Sequence, residues 1–537
     1  TLHSGAAFSK TTFVTNYIGV ISLGCWMDFY GCSFVNNILT ATWAYKSRAS
    51  FSGCTFVNNS FGVSSDNSTC DLKGCTFAQN TGDAVSASAL MHWFMPPSQF
   101  RLEDCLFEGN TIGIGHYPDV GGNSLEMVNC DFQNNSLALD WENKGDSGNP
   151  PPNVTHWTTT RPCRAQNNRF LLNGNVSVDN GGVLELTGSN LTFDSDFDGE
   201  SGLEVLSGGR VELSNGSLMR AHRGSFPYAI RCDAGASFSM EGSVLRDCGW
   251  NLSSAQTSGP LFDGAQVRID SSVVDYNPAG LVFRNTTNAK VQDCRLRGLN
   301  TSVDLDSSSA AFLNSSLGSV SGPSAVLGNA SKLECVNSSI DRHALRFEDD
   351  ESRVNLSWYL DVRAGWADGS PAEGAGVSVW DRSGTEVARE VLGADGLLPG
   401  VVLREATLGR LQSVNFTPHT VNCSRGAVFN TTVQRMDQSR VVDIILVDRD
   451  APSITITYPA PDSFLSSGTV FVNGTAGDNL AVEKVELVAD GFRRYTVYST
   501  DGPASPSVNW NFTLAFLAGP HTIEARAYDA AGNSNST

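Results

Sequence analysis

The feature that most limits what this chain can fold into is a short repeat in its first third. A Cys-x-Phe pair followed by an Asn-containing segment occurs at Cys32-Ser-Phe34, Cys54-Thr-Phe56, Cys75-Thr-Phe77, Cys105-Leu-Phe107 and Cys130-Asp-Phe132. Successive copies lie about 21 to 30 residues apart, a period typical of solenoid proteins. Cys and Phe two positions apart face the same side of a strand, and stacking at the ~4.8 Å spacing of neighbouring strands buries that side. The repeat therefore predicts a parallel β-helix over residues 1–148.

The cysteines of this repeat allow two interpretations. Stacked coils place their Cα atoms about 4.8 Å apart, which a disulfide tolerates. Free Cys is also among the most buried residue types and behaves as a small hydrophobe. We expect a ladder of buried thiols, and Cys25 and Cys70, just upstream of ladder members, are the better candidates for a disulfide. The Asn that follows each Phe suits a left-handed turn position.

A second, looser repeat begins near Arg161. Turns lead into alternating strands at 182–186, 209–213, 236–240 and 265–269, again with a period in the twenties. A Gly-, Asn- and Pro-rich stretch at 145–152 separates the two repeats and reads as a linker or long loop. The sequence therefore predicts a second β-helix block over residues 149–351, either continuous with the first block or separate from it.

These repeats resemble known families. The Cys-x-Phe coils resemble right-handed parallel β-helix repeats of secreted and cell-surface proteins, and the second block resembles β-helix regions of large archaeal surface proteins. The resemblance implies the fold strongly and the function weakly, because β-helices host lyases, hydrolases, adhesins and structural surface proteins alike.

The last third of the chain has a different pattern, with short strands at 354–362, 377–380 and 441–447. Residues 352–449 resemble carboxypeptidase-regulatory-like or fibronectin-like modules. Residues 450–537, with Asp450-Ala-Pro and a Gly-Asn pair at 532–533, resemble Ig-like repeats of prokaryotic surface proteins. The predicted fold class is all-β, a right-handed parallel β-helix followed by two β-sandwich domains. We expect the natural protein to extend beyond Thr537.

Charge excludes several kinds of partner. The chain has 36 Lys+Arg against 56 Asp+Glu, a formal charge of −20. Nucleic acid and anionic lipid both require clustered Lys and Arg, so neither is an expected partner. No apolar run approaches the roughly 18 residues of a membrane span, so we expect membrane attachment only through an anchor outside this chain.

Acceptor motifs for N-glycosylation are enriched. About twenty N-x-[ST] sequons occur, where roughly eight are expected by chance. We interpret the chain as extracellular and modified by covalent N-glycans; the alternative is that a Ser-, Thr- and Asn-rich β protein generates sequons incidentally. The candidate acceptors are Asn58, Asn67, Asn134, Asn153, Asn175, Asn190, Asn215, Asn251, Asn285, Asn300, Asn314, Asn329, Asn337, Asn355, Asn415, Asn422, Asn430, Asn473, Asn511 and Asn535.

Ca²⁺ is the candidate cofactor, since two acidic motifs offer the oxygen ligands it prefers. The first reproduces the start of a calcium loop, although Val205 stands where such a loop has Glu; its ligands would be Asp194, Asp196 and Asp198. The second lies where the two sandwiches join, and its ligands would be Asp448, Asp450, Asp478, Asn479 and Asp529. The alternatives are a polar turn between two coils and an exposed acidic linker.

Motifs of catalysis are missing from the sequence. It contains no G-x-S-x-G, H-E-x-x-H, phosphate loop or dinucleotide fingerprint. We therefore predict a non-enzymatic extracellular structural or adhesive protein, a surface-layer or appendage component that assembles with itself or with other surface proteins.

Carbohydrate is the alternative partner. A polysaccharide lyase or hydrolase would need paired carboxylates, such as Asp270 with Asp275 or Asp304 with Asp306. A non-catalytic carbohydrate-binding protein would expose aromatic side chains along a groove, for which the candidates are Trp141, Trp157 and Trp250.

Overall fold

The computed structural model describes residues 4–88, 98–116, 123–141, 154–195, 199–222, 226–249, 259–499 and 505–537. Contacts divide the chain into two units, Thr1–Leu356 with Thr407–Ser413 and Ser357–Ala406 with Val414–Thr537. The regular structure of the described residues is β-strand, apart from one 3₁₀ turn at Arg342–Ala344. The predicted all-β class is confirmed.

The first unit is built from short strands. In chain order they are β1 (Gly5–Ser9), β2 (Thr12–Val14), β3 (Ile18–Leu23), β4 (Trp26–Tyr30), β5 (Ser33–Val35), β6 (Thr40–Tyr45), β7 (Arg48–Ser52), β8 (Thr55–Val57), β9 (Phe61–Asp66), β10 (Thr69–Lys73), β11 (Thr76–Ala78), β12 (Asp83–Ser88), β13 (Gln99–Glu103), β14 (Leu106–Glu108), β15 (Ile112–His116), β16 (Ser124–Val128), β17 (Asp131–Gln133), β18 (Leu137–Trp141), β19 (Val154–Thr159), β20 (Pro162–Gln166) and β21 (Arg169–Leu172). They continue as β22 (Gly174–Val178), β23 (Val183–Thr187), β24 (Asn190–Phe193), β25 (Gly202–Val205), β26 (Arg210–Ser214), β27 (Leu218–Ala221), β28 (Ala229–Cys232), β29 (Ser237–Glu241), β30 (Val244–Arg246), β31 (Leu261–Asp263), β32 (Gln266–Asp270), β33 (Val273–Arg284), β34 (Ala289–Gln292), β35 (Arg295–Asp306), β36 (Ser309–Leu313), β37 (Ser316–Ser319), β38 (Ala325–Gly328), β39 (Lys332–Val336), β40 (Ser339–Ile340) and β41 (Leu345–Phe347).

These strands form a parallel β-helix. Each coil contributes three strands, and each strand pairs in parallel with its counterpart on the next coil, as β1 does with β4, β2 with β5 and β3 with β6. The same relation holds where the sequence suggested a linker, because β16 pairs with β19 and β17 with β20. Parallel pairing thus runs from the first predicted block into the second, and the described strands form one solenoid.

A stack of phenylalanine rings fills the interior beneath the middle strand of each early coil. Consecutive rings are stacked with their centroids 4.7–5.0 Å apart, in the order Phe13, Phe34, Phe56, Phe77, Phe107 and Phe132. Aromatic pairs in such contact contribute about 0.5–1.5 kcal/mol beyond the area they bury. The Phe of each repeat is therefore an inward core position, as the sequence predicts.

The cysteines form the predicted ladder of buried thiols. The five repeat cysteines are buried and free, and Cys54 Sγ contacts the carbonyl oxygen of Phe29 at 3.5 Å. The expected disulfide involving Cys25 and Cys70 is not formed, since all 13 cysteines are free. In register, Cys70 lies between Ala49 and Phe100, so the strands adjoining β10 present no cysteine opposite it.

The Asn residues after each Phe occupy two different environments. The first has the predicted left-handed backbone, with φ of 55° at Asn36 and 54° at Asn58, and is exposed at the corner of the coil at Asn58. The second is buried and bonds to its counterpart on the next coil, as in Asn37, Asn59, Asn80, Asn110, Asn135 and Asn168. From Asn168 onward Ser189 and Ser217 continue this inner row.

The second unit begins within a strand shared with the first and contains two further sheets. Its strands are β42 (Arg353–Trp366), β43 (Gly376–Trp380), β44 (Glu386–Val391), β45 (Leu397–Leu408), β46 (Val414–Asn415), β47 (His419–Arg425), β48 (Val428–Gln434), β49 (Arg440–Leu446), β50 (Ser453–Tyr458), β51 (Thr469–Ala489), β52 (Arg493–Ser499), β53 (Ser505–Ala515), β54 (Ile523–Asp529) and β55 (Ser534–Ser536). Strands β43, β44, β47 and β48 form one antiparallel sheet, and β50–β55 form another around the long β51. Each has its own buried core, one containing Leu360 and Val421 and the other Val472 and Trp510. The buried residues of the first core lie between Leu360 and Leu446, and those of the second lie between Ile454 and Ala527. The module bounds 352–449 and 450–537 stay a prediction.

Candidate metal centre and exposed sequons

Three predicted calcium ligands converge in the second unit. Asp448, Asp478 and Asp529 each offer one carboxylate oxygen, and these oxygens lie within 4.8 Å of one another. Asp448 and Asp529 are 7% and 2% exposed, while Asp478 is half-buried. Among the described residues no Lys or Arg forms an ion pair with any of them. We call these three residues the carboxylate cluster.

Two of the three carboxylates lie where regular strand pairing is interrupted. Asp448 lies in the segment between β49 and β50. Asp478 begins a bulge, because the pairing of β51 with β53 shifts between Gly477 and Val482. Its Oδ2 accepts hydrogen bonds of 2.8 Å from the backbone N–H groups of Leu480 and Ala481, as Asp does in tight turns.

Two Asn side chains hold the carboxylate cluster together. Asn479 Nδ2 donates to Asp448 Oδ1 at 3.1 Å and to Asp450 Oδ2 at 3.3 Å. Asn533 Nδ2 donates to Asp529 Oδ2 at 2.8 Å and to the backbone oxygen of Asp448 at 3.2 Å. Asp450, a predicted ligand, is exposed. Its carboxylate accepts from Asn479 and its backbone N–H donates to Asp448 Oδ1 at 3.1 Å, so its side chain lies at the rim of the cluster. Sequence reasoning did not single out Asn533, although it closes a turn that starts at Asp529.

The first acidic motif is only partly visible. Asp194 is 5% exposed at the end of β24, whereas Asp196 and Asp198 lie outside the described residues. A calcium loop at this position therefore stays a prediction.

Most sequons of the described residues present an exposed Asn. The exposed ones are Asn58, Asn134, Asn175, Asn215, Asn285, Asn300, Asn314, Asn329, Asn415, Asn430, Asn511 and Asn535. Four are half-buried, namely Asn190, Asn337, Asn422 and Asn473. Asn153 and Asn251 lie outside the described residues.

Two sequons are buried, and here the structure argues against the sequence-based interpretation. Asn67 and Asn355 are each only 8% exposed. Asn355 Nδ2 donates to Glu334 Oε1, and its Oδ1 accepts from Thr407. A carboxamide engaged in this way has no room for a sugar in the folded chain.

A hollow of about 320 Å³ lies on the outer surface of β23, β26, β29 and β32. Its carboxylates are Glu185, Glu212, Glu241 and Asp270. Glu185 pairs with Arg164 at 3.0 Å, and Glu212 pairs with Arg210 at 3.0 Å.

The carboxylate pairs considered for catalysis are not combined at this hollow. Asp270 lines it, but Asp275 does not. Asp304 is buried in an ion pair with Arg284 at 2.9 Å, and Asp306 lies 3.9 Å from the same guanidinium.

The tryptophans proposed for a carbohydrate groove are not on the surface. Trp141 and Trp157 are 0% and 1% exposed and belong to the core of the solenoid. Trp250 lies outside the described residues. The prediction that the first two line an open groove is therefore wrong.

Comparisons with known families cover two segments of the chain. The model described as a right-handed β-helix region matches residues 3–151, and the model described as a bacterial Ig domain matches residues 452–525. No curated protein sequence matches the chain. In the part of the chain that the structure describes, no helix has the length and apolarity needed to cross a membrane.

Solved structures give weaker likenesses. The surface adhesin PfbA of Streptococcus pneumoniae has 11% identity and a TM-score of 0.20, covering 74% of this chain and 90% of that chain. The tailspike protein of E. coli bacteriophage HK620 has 10% identity and a TM-score of 0.21, with coverage of 80% and 85%. The major pilin subunit BcpA of Bacillus cereus has 11% identity and a TM-score of 0.13, with coverage of 34% and 67%. At such TM-scores these likenesses carry no argument, and the fold rests on the strand pairing and the two family matches. The chain contains a right-handed parallel β-helix and an Ig-like module.

Proposed function

We propose that this chain is a non-enzymatic, N-glycosylated structural or adhesive protein of an extracellular surface. The observation that carries the proposal is the placement of the sequons. Twelve sequon Asn side chains are exposed, and six of these have φ between 48° and 55° at corners of the solenoid, at Asn58, Asn134, Asn215, Asn285, Asn314 and Asn329.

Corners of this kind suit a bulky modification. At these six corners a left-handed Asn follows a strand and its side chain is exposed, away from the stacked interior. A glycan there adds hydration without disturbing the inward Phe, Cys and Asn rows. Only 17% of the residues are charged, so sugar would supply surface polarity that charge supplies in other proteins.

The glycosylated outer surface also limits where other proteins can bind. A solenoid that carries many glycans is shielded along its outer turns, and its contacts are then left to strand edges and to the C-terminal modules. We propose self-assembly or binding to other surface proteins, with a surface layer or a filament as the finer alternatives. The proposed location is extracellular, and the archaeal likeness of the second block remains part of this proposal.

Mass spectrometry tests the first step. Protein from its native source is measured intact before and after enzymatic or chemical deglycosylation, beside the same chain made in a host that does not glycosylate. We expect a mass loss on deglycosylation, with glycopeptides that contain the exposed corner residues. An unchanged mass, with unmodified peptides at all of these sites, would remove the basis of the proposal.

The hollow on the solenoid favours a second candidate, a polysaccharide-binding or polysaccharide-cleaving protein. Four carboxylates on consecutive coils face one recess of about 320 Å³. Incubation with acidic and neutral polysaccharides, followed by reducing-end and double-bond assays, tests cleavage. Loss of activity in Glu212→Gln or Glu241→Gln, but not in the distant Glu126→Gln, would support this candidate. Absence of both cleavage and binding in the unmodified chain would eliminate it.

A further inference from the structure

We propose that the carboxylate cluster of Asp448, Asp478 and Asp529 binds one Ca²⁺ ion, which fixes the contact between the two modules of the second unit. This inference goes beyond the proposed surface function and does not depend on glycosylation.

Unsatisfied oxygen atoms are the first support. Asp448 Oδ2, Asp478 Oδ1 and Asn479 Oδ1 are all buried and have no hydrogen-bond partner. Asp448 is more than nine-tenths buried as a residue. A buried polar atom without a partner costs about 1–3 kcal/mol, and more when it is charged. Asp448 and Asp478 belong to the same cluster and each has such an oxygen, which a ligand that accepts their lone pairs explains.

Uncompensated charge is the second support. Three carboxylates whose oxygens lie within 4.8 Å repel one another, and burial strengthens that repulsion. Their hydrogen-bond donors are neutral backbone and Asn N–H groups, which hold the carboxylates in place without cancelling their charge. A divalent cation between them removes most of this cost.

The donor set selects the kind of cation. All of the candidate ligand atoms are oxygen, which suits Ca²⁺ or Mg²⁺ rather than metals that prefer Cys or His. Ca²⁺ binds oxygens at about 2.3–2.6 Å, so ligands on opposite sides of the ion lie about 4.6–5.2 Å apart. Oxygens that lie within 4.8 Å of one another are close enough to share one such ion. Ca²⁺ also tolerates the irregular geometry that a turn, a bulge and a strand end provide.

The bulge that carries Asp478 also joins the two modules. Leu480, two residues on, packs against the core of the neighbouring module, which contains Leu360 and Val421. The approach is close, because a Cβ at Gly426 would lie 2.9 Å from Leu480 Cδ2. Since Asp478 Oδ2 bonds to the N–H of Leu480, an ion that fixes Asp478 also fixes this contact.

Calcium binding to the full chain tests the proposal directly. After treatment with EDTA and its removal, the chain is titrated calorimetrically with CaCl₂ up to about 10 mM, which spans the affinities of extracellular calcium modules. We expect Asp448→Asn and Asp478→Asn each to lose one bound ion per chain. Asp462→Asn, which removes an exposed carboxylate of the same module at a φ of 59° that Asn tolerates, should retain it.

Unfolding supplies a readout that a purely structural role would not give. With EDTA, Asp448→Asn should melt at the same or a higher temperature than the wild-type chain, because it removes one of three repelling charges. With CaCl₂ the order should reverse, since only the wild-type chain gains the ion. A wild-type chain that binds no Ca²⁺ at the cluster, or whose melting is the same in EDTA and CaCl₂, overturns the proposal. A preference for MgCl₂ over CaCl₂ also overturns it.

Discussion

The carboxamide of Asn59 donates a 3.1 Å hydrogen bond to the carboxamide oxygen of Asn80 on the next coil. The same nitrogen donates to the backbone oxygen of Phe34 at 3.0 Å, and the backbone N–H of Asn59 also donates to Asn80 at 2.9 Å. The same arrangement recurs at Asn37, Asn80, Asn110 and Asn135, so a line of buried amides runs beside the stacked rings. Because each amide has partners on both neighbouring coils, the row fixes the register of the coils against one another.

Replacing Asn80 with Ala should destabilise the solenoid strongly. The change leaves the two N–H donors of Asn59 without their acceptor and removes the bond to Asn110 Oδ1. Buried donors left unpaired predict a loss of about 3 kcal/mol in unfolding free energy, measured by denaturant unfolding. The control is Gln79→Asn at the adjacent exposed corner, where φ is 53° and other coils have Asn. Its effect should stay below about 0.5 kcal/mol; equal losses in the two variants would refute the role of the inner row.

One cysteine should react with a thiol reagent in the native chain, and the other twelve should not. Twelve of the 13 cysteines are buried, and only Cys25 is partly exposed. Burial raises the pKa of Cys70 and of Cys335 to about 12, which suppresses their reactive thiolate forms. An alkylating reagent at about pH 8 should therefore label Cys25 alone in the native chain, and all 13 after denaturation without reductant. Fewer than 13 labelled thiols in the denatured chain would reveal a disulfide and contradict the thiol ladder.

The inward Phe and Cys positions follow from the sequence because they recur at one period and share one side of a strand. The inner Asn row cannot be predicted in this way, because in the sequence each of its members is only a second Asn next to the Asn of the turn. Its role depends on a partner in the next coil. The role of Asn533 in the carboxylate cluster is not predicted from the sequence for a similar reason, since its side-chain nitrogen bonds to the backbone of Asp448, 85 residues away. Such a contact leaves no local pattern.

The error over the tryptophans has a local cause. In β18 the burial alternates so that Leu139 and Trp141 share the inward side. In register, Trp157 lies between Met127 and Val176, which are both buried. The alternation of side chains along each strand therefore determines that these two rings point into the core. For predicting whether a Trp is exposed, this alternation is a better guide than the affinity of aromatic rings for sugars.

Asp83 should make the solenoid less stable as the pH rises. Burial, and then the charge of Asp140, raise the pKa of Asp83 to about 6. Between about pH 4 and pH 6 the folded chain holds a proton that the unfolded chain has lost, so stability falls across this interval and stays low above it. At about pH 8, Asp83→Asn should raise the unfolding free energy by about 2–3 kcal/mol, and at about pH 4 it should change little.

The control for Asp83 is Asp71→Asn, which removes a partly exposed carboxylate paired with the exposed Arg48 at 3.2 Å. A surface pair of this kind contributes about 0–1 kcal/mol, so a small loss is expected at about pH 8. A gain of stability that is the same for Asp83→Asn at both pH values would show that its buried charge is not the cause.

Glycan occupancy should follow exposure rather than the motif alone. Asn58 and Asn67 carry sequons nine residues apart, but Asn58 is exposed and Asn67 is 8% exposed. Glycopeptide analysis of native protein should find sugar at Asn58 and none at Asn67 or Asn355. Full occupancy of Asn67 would mean that modification precedes folding or that this corner opens.

The central claim is that this chain belongs to an extracellular surface, and the most direct test is to determine where the protein lies on or in the cell. Intact cells of the source are labelled with an antibody against the purified chain and examined by immunogold electron microscopy, with permeabilised cells as the control. The account predicts gold on the outer surface of intact cells, along a layer, a filament or scattered display sites. Gold found only after permeabilisation, and only inside the cell, would contradict it.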